Sequence, residues 1–188
     1  WNKSNREHTI IGTSPDDTRL KADDAVRICR WKNSYYVDAD HIGLGTVDRF
    51  LASSNFFTID VADWIGKPSS SSAVDAFLKT TAPLMGTLTI PGVAEPMPIT
   101  RDRLRRFAGT YLRAMEEAGN VYRYVIGKKG ADNVVPEVSV DEAETPQTPT
   151  DLLLVLAALA HVRVPVQTVA PKFTGAFLKG IDYVGEVS

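Results

Sequence analysis

Apolar residues along this chain fall into short β-branched or aromatic runs, separated by longer stretches in which they recur at helical spacing. The run His8-Thr9-Ile10-Ile11 closes at Gly12 and predicts a first strand over residues 8–13. Ser14-Pro15-Asp16-Asp17 then opens a helix, because serine caps, proline suits the first helical position and aspartates favour the positive helix end. Leu20, Ala25, Ile28 and Cys29 continue it at roughly helical spacing, which makes Cys29 a core residue in this reading. A second strand over residues 35–42 ends in Asp38-Ala39-Asp40-His41, with a Gly43-Leu44-Gly45 turn and a short helix near residues 47–53 behind it. Residues 56–63 repeat the design, apolar first and carboxylates (Asp60, Asp63) last.

Between residues 67 and 99 the pattern weakens into serines, prolines and two faint apolar segments, which predicts an insertion or elaborated loop with a short helix near residues 74–79. A long amphipathic helix follows over residues 100–126, with Leu104, Phe107, Ala108, Tyr111, Leu112 and Met115 at i, i+3, i+4 spacing. Its Arg101, Arg103, Arg105 and Arg106 read as a solvated face rather than an anion site. A strand over 134–140 runs into Asp141-Glu142-Ala143-Glu144, a helix capped by Thr148 with Pro149 at its first position reaches His161, and a last strand spans 164–170.

This succession predicts an α/β chain with five parallel strands and an insertion after the third. Gly12-Thr13-Ser14-Pro15 is neither a nucleotide-binding nor a dinucleotide-binding glycine loop, which favours a partial (β/α)8 TIM-type barrel over an open doubly wound sheet. We read residues 1–188 as one incomplete barrel domain, elaborated at 67–99. The expectation of a piece rests on five strands where a barrel has eight, and on a chain that begins at Trp1 without an initiator methionine. Two open sheet edges predict that the piece alone aggregates or depends on the absent strands.

Composition narrows the partners. Hydrophobic residues make up 44% and charged residues 23% of the 188, the profile of a chain that folds. A net charge of -2 disfavours nucleic acid and anionic membranes. The longest apolar run, residues 152–160, is nine residues, where a spanning helix needs about 20. One cysteine and no secretory leader pattern fit a reducing, cytoplasmic setting. Oligomeric state leaves no trace in the pattern.

In a parallel α/β sheet, ligands gather at the C-terminal ends of the strands, and those ends carry this chain's acids. Asp38 and Asp40 share a strand face, and His41 joins them only if the alternation relaxes at the strand end. A histidine beside a carboxylate there suits a divalent-metal ligand with a general base; a surface histidine and a loop ion pair are the plainer alternative. Asp141, Glu142 and Glu144 form a second cluster that could divide acid and base roles with the first or be a solvated acidic loop. Lys172 could hold a substrate carboxylate or phosphate, form a Schiff base, or lie on the surface. His161 reads as a C-terminal helix residue meeting the dipole, and His8 has no evident partner.

Four segments, HTIIGTSPDDTRLKADDAV, YYVDADHIGLGTVDRF, VPEVSVDEAETPQTPTDL and QTVAPKFTGAFLKGIDYVGE, resemble the bacterial tagaturonate epimerase family, isomerases that interconvert tagaturonate and fructuronate in hexuronate catabolism. The Val-Asp-Ala-Asp-His and Ala-Pro-Lys-Phe-Thr-Gly blocks are the most specific; residues 176–178 depart from the polar stretch expected after the latter. The resemblance implies a metal-dependent barrel well over twice this length, with Asp40 as proton acceptor, His41 as a ligand of a divalent metal cation, Glu142 as proton donor, and further ligands beyond Ser188. Asp38 and Lys172 are then candidate substrate-binding residues for a keto-hexuronate, Lys172 near its carboxylate. Epimerisation at a carbon β to the ketone suggests retro-aldol cleavage and re-addition, with direct proton abstraction as the other route. The competing readings are a metal-dependent ketose aldolase and a non-catalytic barrel subunit of a sugar-metabolising enzyme.

Overall fold

The computed structural model describes residues 1–176 and 181–185. Its chain starts with a short strand, β1 (Asn2–Ser4), and goes straight into a helix, α1 (Asn5–Ile11). The strand expected over 8–13 is therefore a helix, and the first strand lies six residues earlier. The reason is a capping box: Ser4 Oγ accepts from the Glu7 backbone N–H and Glu7 reaches back to the Ser4 N–H at 2.9 Å. This local device outweighs the β-branched Thr9-Ile10-Ile11 run, whose isoleucines end up 71% and 52% exposed. Gly12 closes the helix at φ 67°, a left-handed position that suits glycine.

Helix α2 (Pro15–Ile28) begins where Ser14 and Pro15 predicted, but it buries Thr18 and Ala22. Leu20 and Ile28 are exposed, and Cys29, at the helix end, is exposed rather than part of the core. The apolar spacing alone does not show which side of the helix meets the sheet. Strands β2 (Asp38–Ile42) and β3 (Phe56–Asp60) follow, then α3 (Ser71–Thr81) and an antiparallel pair, β4 (Gly86–Leu88) with β5 (Met97–Ile99). These last elements occupy the expected insertion, and their Phe77, Leu78 and Ile99 belong to the same core cluster as the sheet.

The long helix is continuous but not uniform: α4 (Arg101–Phe107) passes through a π-helical turn at Ala108–Leu112 into α5 (Arg113–Lys129). A backbone carbonyl at that turn, Thr110 O, accepts from Gly66 N–H at 2.7 Å. Arg101, Arg105 and Arg106 are exposed, as a solvated face requires. Strand β6 (Val135–Val140), helix α6 (Pro149–His161) and strand β7 (Thr168–Pro171) complete the order.

Five strands form one parallel sheet in the order β1-β2-β3-β6-β7, so sheet order follows chain order without reversal. Alternation divides the sheet into two chemically different faces. Ala39 and Ile42, Phe57 and Ile59, and Val138 and Val140 turn to one side and merge with Leu112, Met115, Leu154 and Leu159 of the helices. Each of these side chains other than Ala39 contributes about 1.5–3 kcal/mol on burial. Asp38, Thr58, Glu137 and Thr168 meet on the opposite face in a hydrogen-bonded row, so that side of the sheet is polar there. No helix among the described residues is long and apolar enough to cross a membrane.

Candidate active site

A cavity of about 670 Å³ opens at the C-terminal ends of β2 and β3, and Asp40, His41, Asp60 and Glu142 line it together with the start of α1. The geometry that brings His41 there is local. Between Ala39↔Phe57 and Ile42↔Ile59 the β2–β3 register gains one residue, and His41 adopts φ 52°. Such a bulge breaks the alternation, so His41 follows Asp40 onto the polar face while Ile42 returns to the core. A left-handed non-glycine residue at a strand end is backbone strain held by its surroundings.

Asp60 holds the ring. His41 Nδ1 lies 3.2 Å from Asp60 Oδ2, and Nε2 lies 3.9 Å from Asp40 Oδ1. The hydrogen bond to Asp60 pushes the His41 imidazole up to about 9; burial opposes this, and the charges of Asp40, Asp60 and Asp141 add to it. The same bond holds the Asp60 carboxyl below its ordinary value. An imidazole whose Nδ1–H is held by a carboxylate behind it turns Nε2 outward, and in its neutral form it offers the Nε2 lone pair, the arrangement common to metal-binding histidines. Among the described residues no three histidine, cysteine or carboxylate side chains converge as a metal site.

Glu142 enters from the loop after β6, which is tied down around Gln147. Gln147 Nε2 donates to Val140 O and to Tyr111 Oη at 3.3 Å, and its Oε1 accepts from Lys172 N–H at 2.6 Å. Lys172 is thereby held by its backbone beside this loop, outside the cavity lining. Asp141 is engaged by Ser139 Oγ. Asp38 lies one step below Asp40 on the same face, where Thr58 Oγ1 stands 3.1 and 3.0 Å from its two oxygens. Burial, aided by the charges of Asp40 and Glu137, pushes the Asp38 carboxyl up to about 7 against the opposing hydrogen bonds from Thr58.

Two other histidines are structural. His8 is buried in α1, bonds Thr13 Oγ1 at 2.9 Å and packs on Phe50, so it does have a partner. His161 sits in the last turn of α6, as expected, with Nδ1 3.1 Å from Thr80 Oγ1 and its ring edge against Phe77. The sequence pattern marks Asp60 only as a strand-end carboxylate and does not single out Arg6, Thr58 or Glu137. The strand-end position that Asp60 shares with Asp40 was the available signal for the first, whereas Arg6 is placed by a helix that starts ahead of the strand expected over 8–13.

Residues 2–188 match the UxaE family, described as tagaturonate epimerase. The chain belongs to this tagaturonate epimerase family. Among solved structures it resembles three of the fructuronate-tagaturonate epimerase UxaE from Cohnella laeviribosi: two glycerol complexes, each with a TM-score of 0.80, and a native form with 0.75, all at 24% identity. The match covers 99% of this chain and 40% of each of those chains, and at that identity it is a likeness of fold. No curated protein matches significantly. Of the family-like blocks, Asp40 and His41 line the cavity, while Asp38 lies outside its lining; residues 177 and 178, in the departure noted at 176–178, lie outside the described residues.

Proposed function

We propose that this chain carries part of the catalytic face of an epimerase interconverting tagaturonate and fructuronate. The observation that carries the reading is that Asp40, His41 and Glu142 converge on one cavity from the ends of two different strands, in a chain of the tagaturonate epimerase family. The sheet is read as part of a (β/α)8 barrel. Its strands keep chain order, without the reversal that marks a doubly wound sheet, and its polar face, opposite the one packed on α3 to α6, is the one a barrel would enclose.

The two keto-hexuronates differ at a hydroxyl-bearing carbon β to the ketone, so the ketone does not acidify that C–H. Retro-aldol chemistry avoids the difficulty. Asp40 takes the hydroxyl proton, the oxygen becomes an aldehyde carbonyl as the adjoining C–C bond breaks, and the electron pair enters the enediolate of the other fragment. After the aldehyde rotates, the enediolate carbon re-forms the bond on the opposite face, and Glu142 protonates the new alkoxide. The reverse direction exchanges the two roles. His41 would hold a divalent cation through Nε2, and such an ion supplies Lewis acidity toward the ketone and enediolate oxygens. Asp38 supports Asp40 from the layer below, and a cytoplasmic setting suits the free Cys29.

In the full-length enzyme, Asp40→Asn is expected to lower epimerisation about 10²- to 10⁴-fold with bound metal unchanged. Normal turnover at normal metal content would refute the base assignment. Net release of three-carbon fragments from tagaturonate, in place of fructuronate, would make the enzyme an aldolase.

A further inference from the structure

Four of the eleven described residues that line the cavity at Asp40 are carboxylates, which repel an anion. These are Glu7, Asp40, Asp60 and Glu142; beside them stand the His41 imidazole, held by Asp60 and Asp40, and Arg6, among the described residues the only lysine or arginine in the lining. A keto-hexuronate is an anion at neutral pH, so a site of this composition must neutralise the substrate carboxylate before it can position the ketone end. Glu7 is committed to the capping box through the Ser4 N–H, and Asp60 to His41. Arg6 is exposed, and among the described residues it makes no ion pair or side-chain hydrogen bond. Its backbone is nonetheless fixed, because it sits between the two members of the capping box, Ser4 and Glu7. Lys172, by contrast, lies outside the lining with its N–H bonded to Gln147.

We propose that Arg6 reads the substrate carboxylate, pairing with it through the planar guanidinium and setting the preference of the site for a uronate over a neutral ketohexose. This inference rests on the epimerase reading above. A guanidinium matches a carboxylate with two parallel N–H donors, a geometry that an ammonium on a flexible stem does not reproduce. With the carboxylate held at α1, the remaining substrate extends toward Asp40 and His41 within the same cavity.

The test compares Arg6→Gln and Arg6→Lys with wild type in the full-length enzyme, measuring kcat and KM for tagaturonate. Loss of a charged hydrogen-bonding partner is expected to raise KM about 10- to 100-fold in Arg6→Gln, with a smaller change in kcat, and Arg6→Lys should recover part of it. The wild-type KM should rise with ionic strength more steeply than that of Arg6→Gln. An unchanged KM, or a fall in kcat alone, would overturn the assignment. If wild type fails to epimerise tagaturonate, the proposed function falls instead. Equilibrium binding of tagaturonate to the same variants then decides the carboxylate contact: equal affinity in wild type and Arg6→Gln refutes it, and weaker binding in Arg6→Gln supports it.

Discussion

Replacing Asp38 with asparagine is expected to stabilise the protein above neutral pH and to leave its stability unchanged in acid. The reasoning is a count of hydrogens along the row on the polar face. Thr168 Oγ1 donates to Glu137 Oε2 at 2.6 Å, and Thr58 Oγ1 stands 3.2 Å from Glu137 Oε1 and 3.0 Å from Asp38 Oδ2. Thr58 has one hydroxyl hydrogen and cannot serve both carboxylates. The row is complete when one carboxyl carries a proton, and burial assigns that proton to Asp38, whose pKa rises from the ordinary 3.8 to about 7. The order is then Asp38 to Thr58 to Glu137, with the Thr58 N–H still donating to Asp38 Oδ1.

The folded state thus holds this proton more tightly than the unfolded chain does. The associated stability is fully present below the ordinary value of 3.8 and is lost as pH rises through about 7. At full strength such a displacement corresponds to about 4 kcal/mol, and residual solvent contact reduces it to on the order of 2 kcal/mol. Asparagine copies the neutral acid, since its NH₂ can donate to Thr58 while its oxygen accepts from the Thr58 N–H. Urea unfolding of wild type and Asp38→Asn in half-unit steps between about pH 4 and 8.5 reads the difference directly. The variant should be more stable by on the order of 2 kcal/mol at the alkaline end, with the gap closing toward the acid end. A difference independent of pH, or a variant less stable than wild type at the alkaline end, would refute the assignment of the proton.

Three further outcomes follow from the contacts around the site. Asp60→Ala removes the hydrogen bond that raises His41, so the imidazole pKa should fall from about 9 toward the ordinary 6.5 in metal-free protein, read by NMR titration of the ring; a value still near 9 would show that Asp60 is not the cause. Gln147→Ala leaves the Lys172 N–H without its acceptor and should cost about 1–3 kcal/mol in denaturant unfolding. Phe57→Ala empties a fully buried core position under the site and should cost about 3–5 kcal/mol, with a smaller cost showing that the neighbouring helices collapse into the space.

Much of the fold was legible because local signals were strong. Ser14-Pro15 and Thr148-Pro149 begin α2 and α6 where they were predicted, and the strands over 38–42, 56–60 and 135–140 lie inside their apolar runs. The error at the first strand came from reading three β-branched positions ahead of a four-residue capping box. Cys29 and Ile28 show a second gap: helical spacing identifies a stripe, but burial depends on which stripe the sheet covers.

The candidate site divides in the same way. By itself, the sequence determined the alternation of strands and helices, the placing of Asp40, Asp60 and Glu142 at or just beyond the C-terminal ends of strands, and the family resemblance that the comparison bears out, whereas Asp38 begins β2. Only the tertiary structure decided that the β2 bulge turns His41 beside Asp40, that Asp60 reaches its Nδ1, and that Arg6 and Glu142 line the same cavity. Apart from the adjacent Asp40 and His41, these arrangements join residues 19 to more than 100 positions apart. They depend on strand register and on where a helix starts relative to its sheet, and a one-residue change in register sends every side chain to the opposite face. Local propensity sets what each segment becomes, whereas the packing between segments sets which of its side chains meet.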